Sequence, residues 1–538
     1  MRVAEFVGRT LAGLGVRRVF GVVGSGNFHV TNALVAGGAT FVAAAHEGGA
    51  ASMADAYARV SGQVAVLSVH QGPGVTNALT GITEAAKSHT PLLVLAAEAT
   101  QPRSNFFIDL PAAAAALGAR FVRVRAEHAG VDIRSAHRLA ATGECVIVGL
   151  PLDVQGEDAT DGEPDAVPGD AERRPDVSAL AEALAEARRP VFIAGRGATR
   201  SAGAREALTA LADRCGALLA TSAAAKGLFA GDPWNLDVSG GFATPLAAEL
   251  IGAADLVVAW GSTLNMWTTR HGRLIGPEAT VAQVDLDPAA LGVNRPIGVG
   301  VAGDVARVAG LVSGSLSTAD GYRSDDLRKR IAAEGRWRDV SYVDDDVEGR
   351  IDPRTLSIAL DDLLPPERTV AVDSGNFMGY PSMFLGVPDA AGFCFTQAYQ
   401  SIGLGLASAL GAAVARPDRL TVAALGDGGF LMSAAELVTA VRLGLPLVVV
   451  VYNDAAYGAE VHHFGPDGDP LDTVTFPDTD LAAIGAGYGC AGLTVRAVDD
   501  LAPVRDWLAG DRGRPLVIDA KVSAVRGSWW LEEAFRGH

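Results

Sequence analysis

Two aspartates set among glycines are the residues of this chain best placed to do chemistry. The stretch from Thr421 to Gly458 reads TVAALGDGGFLMSAAELVTAVRLGLPLVVVVYNDAAYG. An apolar strand runs into Gly426-Asp427-Gly428-Gly429, a helix follows, and a second apolar strand ends at Asn453-Asp454. Strand, helix and strand in that order imply two parallel strands whose carboxyl ends present Asp427 and Asp454. Open α/β sheets bind their ligands at that edge. Glycines there let the backbone approach a phosphate, and the helix that follows offers its free N–H groups to it. Two hard oxygen ligands beside a diphosphate are what Mg²⁺ requires. The segment predicts a metal-held diphosphate rather than a bare nucleotide.

Other corners carry groups that could share in the chemistry. In Ala45-His46-Glu47-Gly48-Gly49-Ala50, Glu47 opens a predicted helix whose other early residues are small. A carboxylate there is either a proton-handling acid or a charge that offsets the helix dipole. The run His70-Gln71-Gly72-Pro73-Gly74-Val75-Thr76-Asn77 reads as a strand–loop–helix corner in which Asn77 caps or holds the loop. Gly and Pro are also the commonest residues of plain turns. Asp373-Ser374-Gly375-Asn376 follows an apolar run in the same way. GxG occurs in Gln400-Ser401-Ile402-Gly403-Leu404-Gly405 and in Gly195-Arg196-Gly197. Neither sits in a dinucleotide-binding unit with an acid placed for a ribose.

The elements that must position these groups alternate along the whole chain. Short apolar runs follow Ala/Leu-rich helical stretches, the pattern of βα units and parallel sheets. The predicted strands are Val64–Ser68, Leu92–Ala97, Val191–Ala194, Leu256–Trp260, Val370–Val372, Thr421–Leu425, Leu447–Tyr452 and Leu516–Asp519. They are too dispersed over 538 residues for a single core. Residues 156–176 are acidic, carry Pro and Gly and nearly lack large apolar groups, so they read as a linker. Residues 313–350 are strongly charged and read as a second connection, with a surface helix in DDLRKRIAAEGRWRD. The fold expected is α/β in three domains, 1–155, 177–312 and 351–538, each a mainly parallel sheet flanked by helices. The glycine corners common to the first and third point to related folds.

A formal net charge of −18 argues against nucleic acid or an anionic membrane as partner. Any phosphate must then be held locally, by glycine loops or by a cation. The four cysteines are widely spaced and form no CxxC or zinc pattern, which favours a reduced, cytoplasmic protein. The N-terminal residues read as an amphipathic helix without the apolar core of a signal peptide. No apolar run is long enough to span a bilayer.

Together, HEGGAASMADAYARVSG, the GPGVTN corner and the GDGG…YNDAAYG segment resemble the thiamine diphosphate (ThDP) enzymes. The resemblance is to the group of pyruvate decarboxylase, benzoylformate decarboxylase and acetolactate synthase, and it covers nearly the whole chain. It implies a pyrimidine-binding, a central and a diphosphate-binding domain, in that order. By this likeness Asp427, Asp454 and the backbone carbonyl of Ala456 are the protein ligands of Mg²⁺. Many relatives have Asn where Asp454 stands. Gly426, Gly428 and Gly429, together with Ser374, Gly375 and Asn376, are implied to line the diphosphate. Asn77, Gln400, Tyr457 and Gly458 are implied to border the cofactor. Glu47 matches the acid that hydrogen-bonds N1′ of the aminopyrimidine, so that the 4′-imino group takes the proton from thiazolium C2. Ile402 matches the apolar wedge that bends the cofactor.

The same likeness implies a lyase or carboligase that decarboxylates a 2-oxo acid and then releases an aldehyde or forms a carbon–carbon bond. An acetolactate-synthase-like acyltransferase is the alternative, and a non-catalytic relative of the same fold a further one. Ser25 aligns with a polar residue facing the substrate carboxylate. His70 and Glu460 align with proton-transfer groups. His462 and His463 follow Glu460, and a structural pair is the plainer reading of both. The stretch Gly261-Ser262-Thr263-Leu264-Asn265-Met266-Trp267 departs from the Arg/Asp-rich flavin motif of acetolactate synthases, which weighs against FAD. The likeness places each site between two subunits, so a homodimer is the minimum and a homotetramer the expectation. Trp529-Trp530 is a candidate cover for the site or ordinary packing.

Overall fold

Runs of aliphatic and β-branched residues, too short for helices, form the strands of three parallel sheets. The computed structural model describes residues 1–161 and 174–531. In the first domain β1 (Arg18–Gly21), β2 (Thr40–Ala43), β3 (Ala65–Val69), β4 (Leu92–Glu98), β5 (Arg120–Arg123) and β6 (Cys145–Pro151) lie in the order β2-β1-β3-β4-β6-β5. The central domain contains β7 (Pro190–Ala194), β8 (Leu218–Thr221), β9 (Asn235–Val238), β10 (Leu256–Trp260), β11 (Thr280–Asp285) and β12 (Val299–Ala302), in the order β12-β11-β10-β7-β8-β9. The third domain has β13 (Arg368–Val372), β14 (Phe393–Phe395), β15 (Leu420–Gly426), β16 (Leu447–Asn453), β17 (Ala491–Val495) and β18 (Leu516–Lys521), in the order β14-β13-β15-β16-β18-β17. The first and third sheets therefore share one winding order. The central sheet has the doubly wound order whose switch point falls between β7 and β10.

Helices cover both faces, so the inner strands are apolar without alternation. β3, β4, β13 and β16 are buried at every position. Residues 157–161 lie on the first domain: Val3 N–H donates to the Glu157 carbonyl at 3.0 Å and Ala159 N–H to the Met1 carbonyl at 2.9 Å. Residues 162–173, within the predicted linker, lie outside the described residues. The charged stretch after the central domain forms the helix Asp325–Glu334, whose Ile331 is buried in the central core. Among the described residues no helix is long and apolar enough to cross a membrane.

The helix Glu47–Ser61 joins the first domain to the third. It packs along the helix Gly405–Ala415, and both present small residues at the seam. Ala50, Ala54 and Met53 share one apolar cluster with Leu406, Leu410 and Phe430, so the two domains have a common core. At Gly411 the backbones come so close that a Cβ would stand 2.1 Å from the Met53 carbonyl oxygen. Only glycine fits without moving one helix off the other. Gly411→Val is expected to destabilise the protein by about 1–3 kcal/mol, seen as a lower midpoint in thermal or urea unfolding. An unchanged midpoint would show that the seam yields.

Candidate active site

The third-domain half of the site stands at the carboxyl ends of β13, β15 and β16. β15 and β16 pair with Gly426 opposite Tyr452, which sets Asp427 and Asp454 just beyond their strands. Asp427 is also the first residue of the helix Asp427–Ser433. Burial pushes its carboxyl up to about 6, although Gly428 N–H donates to it at 2.9 Å. Asp454 is pushed up to about 7, by burial first and then by the charge of Asp427. No salt bridge to either carboxylate is found among the described residues. Such a pair of buried, mutually repelling oxygen donors fits a divalent cation. No group of three His, Cys, Asp or Glu side chains capable of holding a metal is found among the described residues, so two carboxylates cannot complete such a site alone.

Asn453, the neighbour of Asp454, is committed inward. Its amide donates to Asp519 Oδ1 at 2.8 Å, and its oxygen accepts from Ala455 N–H at 3.1 Å. Ala455 then takes a positive φ of 59° and swings the chain outward. Ala456 pairs with Thr475 through its flanking residues: Tyr457 N–H donates to the Val474 carbonyl and Phe476 N–H to the Ala455 carbonyl. The bridge leaves the carbonyl of Ala456 out of its hydrogen bonds. Tyr457 stands edge-on to Phe476 at 4.9 Å, and Gly458 opens the helix Gly458–Phe464 that carries Glu460. Glu460 is exposed, while burial lowers the proton affinity of His462.

Asp373, buried at the end of β13, is held differently from the other two. It accepts N–H groups of Ser374 at 2.8 Å, Gly403 at 2.9 Å and Leu404 at 3.3 Å, and burial pushes it up to about 6. It thereby ties the Ser374–Asn376 loop to the turn bearing Gln400 and Ile402. Gln400 has φ +59° and Gly403 φ +88°, so this turn is tightly wound. Asn376 is engaged by the C-terminal segment. Its side-chain oxygen accepts from Ser528 N–H at 3.1 Å, and its carbonyl accepts from Trp530 Nε1 at 3.0 Å. Trp530 is buried, and the Arg270 guanidinium lies 4.5 Å from the ring of Trp529. A cleft of about 2220 Å³ collects Asp427, Asp454, Ile402, Glu460 and Trp530, and continues to the central switch point at Gly195 and Gly261.

The first-domain residues form a second group, at the ends of β1, β2 and β3. Buried Asn27 fixes the turn carrying Ser25, accepting Gly24 N–H at 2.8 Å and donating to Ser68 Oγ at 3.1 Å. His70 Nδ1 accepts from Gly26 N–H at 3.2 Å, so a neutral ring carries its proton on Nε2. Glu47 begins its helix as expected, and its Oε2 accepts from Asn77 Nδ2 at 3.1 Å. Asn77 does not cap the loop. Pro73 starts the helix Pro73–Lys87, Gly72 occupies the cap, and Asn77 lies inside the helix. Proline suits a first helical turn, where its missing N–H costs nothing. Ser25, Glu47, His70 and Asn77 do not line that cleft. The structure thus gathers the candidates into two groups rather than one. Asn27 and Glu436, both buried and both holding the backbone of the first group, carry no motif that sequence reading detects.

Three parallel-sheet domains and a buried carboxylate pair beside a glycine-opened helix define a cofactor-dependent α/β enzyme of the diphosphate-binding class. Residues 1–132 match the thiamine pyrophosphate enzyme N-terminal TPP binding domain, residues 177–311 the central domain, and residues 373–520 the C-terminal TPP binding domain. A probable 2-ketoarginine decarboxylase of Pseudomonas aeruginosa is 31% identical over 93% of this chain and 90% of its own. A sulfoacetaldehyde acetyltransferase of Roseovarius nubinhibens is 27% identical over 100% and 94%. An acetolactate synthase of Mycobacterium leprae is 27% identical over 98% and 88%. The chain belongs to the family of ThDP-dependent enzymes.

Asp427 and Asp454 bind protons more tightly in the folded chain than in the unfolded one, where carboxyls titrate near 4. Their contribution favours folding at low pH and is lost as pH rises from about 4 through 7. In metal- and cofactor-free protein, Asp454→Asn should be more stable than the parent at pH 8 by on the order of 1–3 kcal/mol. The difference should shrink toward pH 5. Urea unfolding at both pH values measures it.

Proposed function

We propose that this is a ThDP- and Mg²⁺-dependent enzyme that decarboxylates a 2-oxo acid, with aldehyde release or carbon–carbon bond formation as the outcome. The observation that carries the reading is the buried, mutually repelling pair Asp427 and Asp454, which opens into the same cleft as Ile402 and Glu460. The two carboxylates and the Ala456 carbonyl would hold Mg²⁺. The N–H groups of Gly428 and Gly429, with the Ser374–Asn376 loop, would hold the diphosphate. Bound ThDP would supply a carbon nucleophile and an electron sink for the bonding pair left on the substrate carbon when CO₂ departs.

The chain's own residues would do the rest. Glu47 would hold a proton at the pyrimidine ring nitrogen, with Asn77 fixing its other oxygen. Ile402 would fill the space that keeps the two rings bent, and Gln400, Tyr457 and Gly458 would border them. Glu460, exposed on the cleft, would deliver a proton to the product carbon. Ser25 would bind the substrate carboxylate, and His70 would use its Nε2 proton.

Glu47 and His70 do not line the cleft, which supports a working form of at least a homodimer in which a second copy would bring these groups to it. Exposed Leu431, Met432 and Val438 beside the diphosphate corner, and exposed Phe28 and Phe106 beside Ser25 and His70, supply apolar surface for that contact. Acyl transfer to a second carbonyl is the other reading, favoured by the relatives named acetyltransferase and acetolactate synthase.

A panel of 2-oxo acids, supplied with ThDP and Mg²⁺ and read for CO₂ and products together, tests the reading. Acetaldehyde from pyruvate indicates the lyase, and acetolactate the transferase. Glu47→Gln should lower turnover roughly 10²–10⁴-fold while ThDP affinity changes little. Full turnover by that variant would remove Glu47 from the mechanism.

A further inference from the structure

The connection from β2 to the helix Glu47–Ser61 is gripped by the third domain of the same chain. The helix Asp427–Ser433 runs on into the short 3₁₀ turn Ala434–Glu436. Glu436 is 3% exposed and reaches across the seam. Its Oε1 accepts from His46 N–H at 3.1 Å, and its Oε2 from Ala45 N–H at 3.1 Å and from Thr439 Oγ1 at 2.8 Å. Arg442, on the helix Leu437–Leu443, donates to the carbonyl of Ala43. A carboxylate thus takes the N–H groups of the connection and a guanidinium takes its carbonyl. The helix start is also capped from within, because His46 Nδ1 accepts from Gly48 N–H at 3.0 Å.

We propose that Glu436 is a positioning residue for Glu47. The two amides it holds belong to the residues immediately before Glu47, so it fixes where the Glu47 side chain starts. Room for it depends on Gly49, where a Cβ would lie 2.1 Å from Glu436 Oε1. A carboxylate kept for packing alone would gain nothing from burial, since removing it from water is costly unless hydrogen bonds offset the loss. Here three neutral donors do so, and two of them are backbone groups that define the approach of one acid. The inference rests on the reading of Glu47 as the acid that acts on the pyrimidine.

The test uses the full-length protein and the variants Glu436→Gln, Glu436→Ala, Gly49→Ala and Glu47→Gln. In cofactor-free protein, amide hydrogen exchange of a peptide covering residues 43–48 should be about tenfold or more faster in Glu436→Gln. With ThDP and Mg²⁺, deuterium exchange at ThDP C2 should slow on the order of 10²-fold, while ThDP affinity by calorimetry stays within about threefold of the parent. Gly49→Ala should act likewise in the parent, and add nothing to Glu436→Ala, where the carboxylate is gone. Parent rates in both exchange measurements, or a loss of ThDP affinity in step with C2 exchange, would overturn the proposal. If Glu47→Gln keeps the parent C2 rate, the reading of Glu47 fails, and the amide measurement still judges the grip of Glu436. Should Glu436→Gln not fold, Gly49→Ala displaces the same carboxylate and carries the same measurements.

Discussion

The close approach of the helices Glu47–Ser61 and Gly405–Ala415 is the constraint on which the rest of the structure depends. Two helices from different domains can touch backbone to backbone only where side chains are nearly absent, and Gly411 against the Met53 carbonyl is that point. Around it the seam is apolar, a single cluster running from Ala50 to Phe430. Polar groups close it at both ends. At the start of the first helix stand Glu436 and Arg442. At its far end Arg59 donates to the Phe395 carbonyl at 2.9 Å, and Glu84 accepts the N–H groups of Ala398 and Tyr399 at 3.1 and 2.6 Å. Arg59 and Glu84 also form an ion pair at 2.7 Å, with Glu84 almost fully buried. Apolar contact supplies adhesion but little directional preference. Buried charges left unpaired by a shift of register would be costly, so the latches select one alignment. That alignment holds the segment leading to Gln400 and Ile402 at one end of the seam and the segment leading to Glu47 at the other.

Three carboxylates stand at the ends of three neighbouring strands, and their surroundings separate their roles. Asp373, Asp427 and Asp454 are all raised by burial. Asp373 receives N–H groups from two separate segments and therefore works as a structural tie. Asp454 has, besides burial, the repulsion of Asp427 pressing it toward protonation. Neither carboxylate forms a salt bridge among the described residues, and the charge of Arg350 offsets Asp454 less than burial and Asp427 oppose it. Desolvated like charges side by side are a cost that a fold without a use for them would shed, and one divalent cation removes most of it.

Much of this was legible in the sequence, and the gaps have physical causes. All eight predicted strands are strands, because inner parallel strands are buried on both faces and read as unbroken apolar runs. The strands that escaped notice include β5 with RFVR and β9 with NLDV, short and only partly buried edge strands whose patterns resemble loops. Asp427 and Asp454 were readable because strand, glycine corner and carboxylate are consecutive in the chain. Of the two readings of Asn77, as cap or as tether of the loop, capping fails because glycine and proline mark a turn without saying where the next helix begins. Glu436 was invisible for a different reason. Its partner His46 lies 390 residues away, in another domain, and nothing local marks a glutamate in a helical run as a hydrogen-bond acceptor for a distant backbone.

The first and third sheets share one strand order yet present different chemistry at their carboxyl ends. In the first, the corners after β1, β2 and β3 carry Ser25, Glu47 and His70, groups suited to handling protons and a carboxylate. In the third, the corresponding corners after β13 and β15 carry Asp373 and Asp427, groups suited to tying loops and holding a cation. The central sheet has the dinucleotide-type order, but its glycine turns at Gly195 and Gly261 pack against one another, with a Cβ on Gly195 standing 2.3 Å from the Gly261 carbonyl oxygen. Strand order decides only where a site can lie, at the carboxyl edge. What the site does is decided by which few residues leave each strand. Because the helix Glu47–Ser61 shares one apolar cluster with the third domain, Glu47 and the Asp427 corner of one chain are joined through the seam.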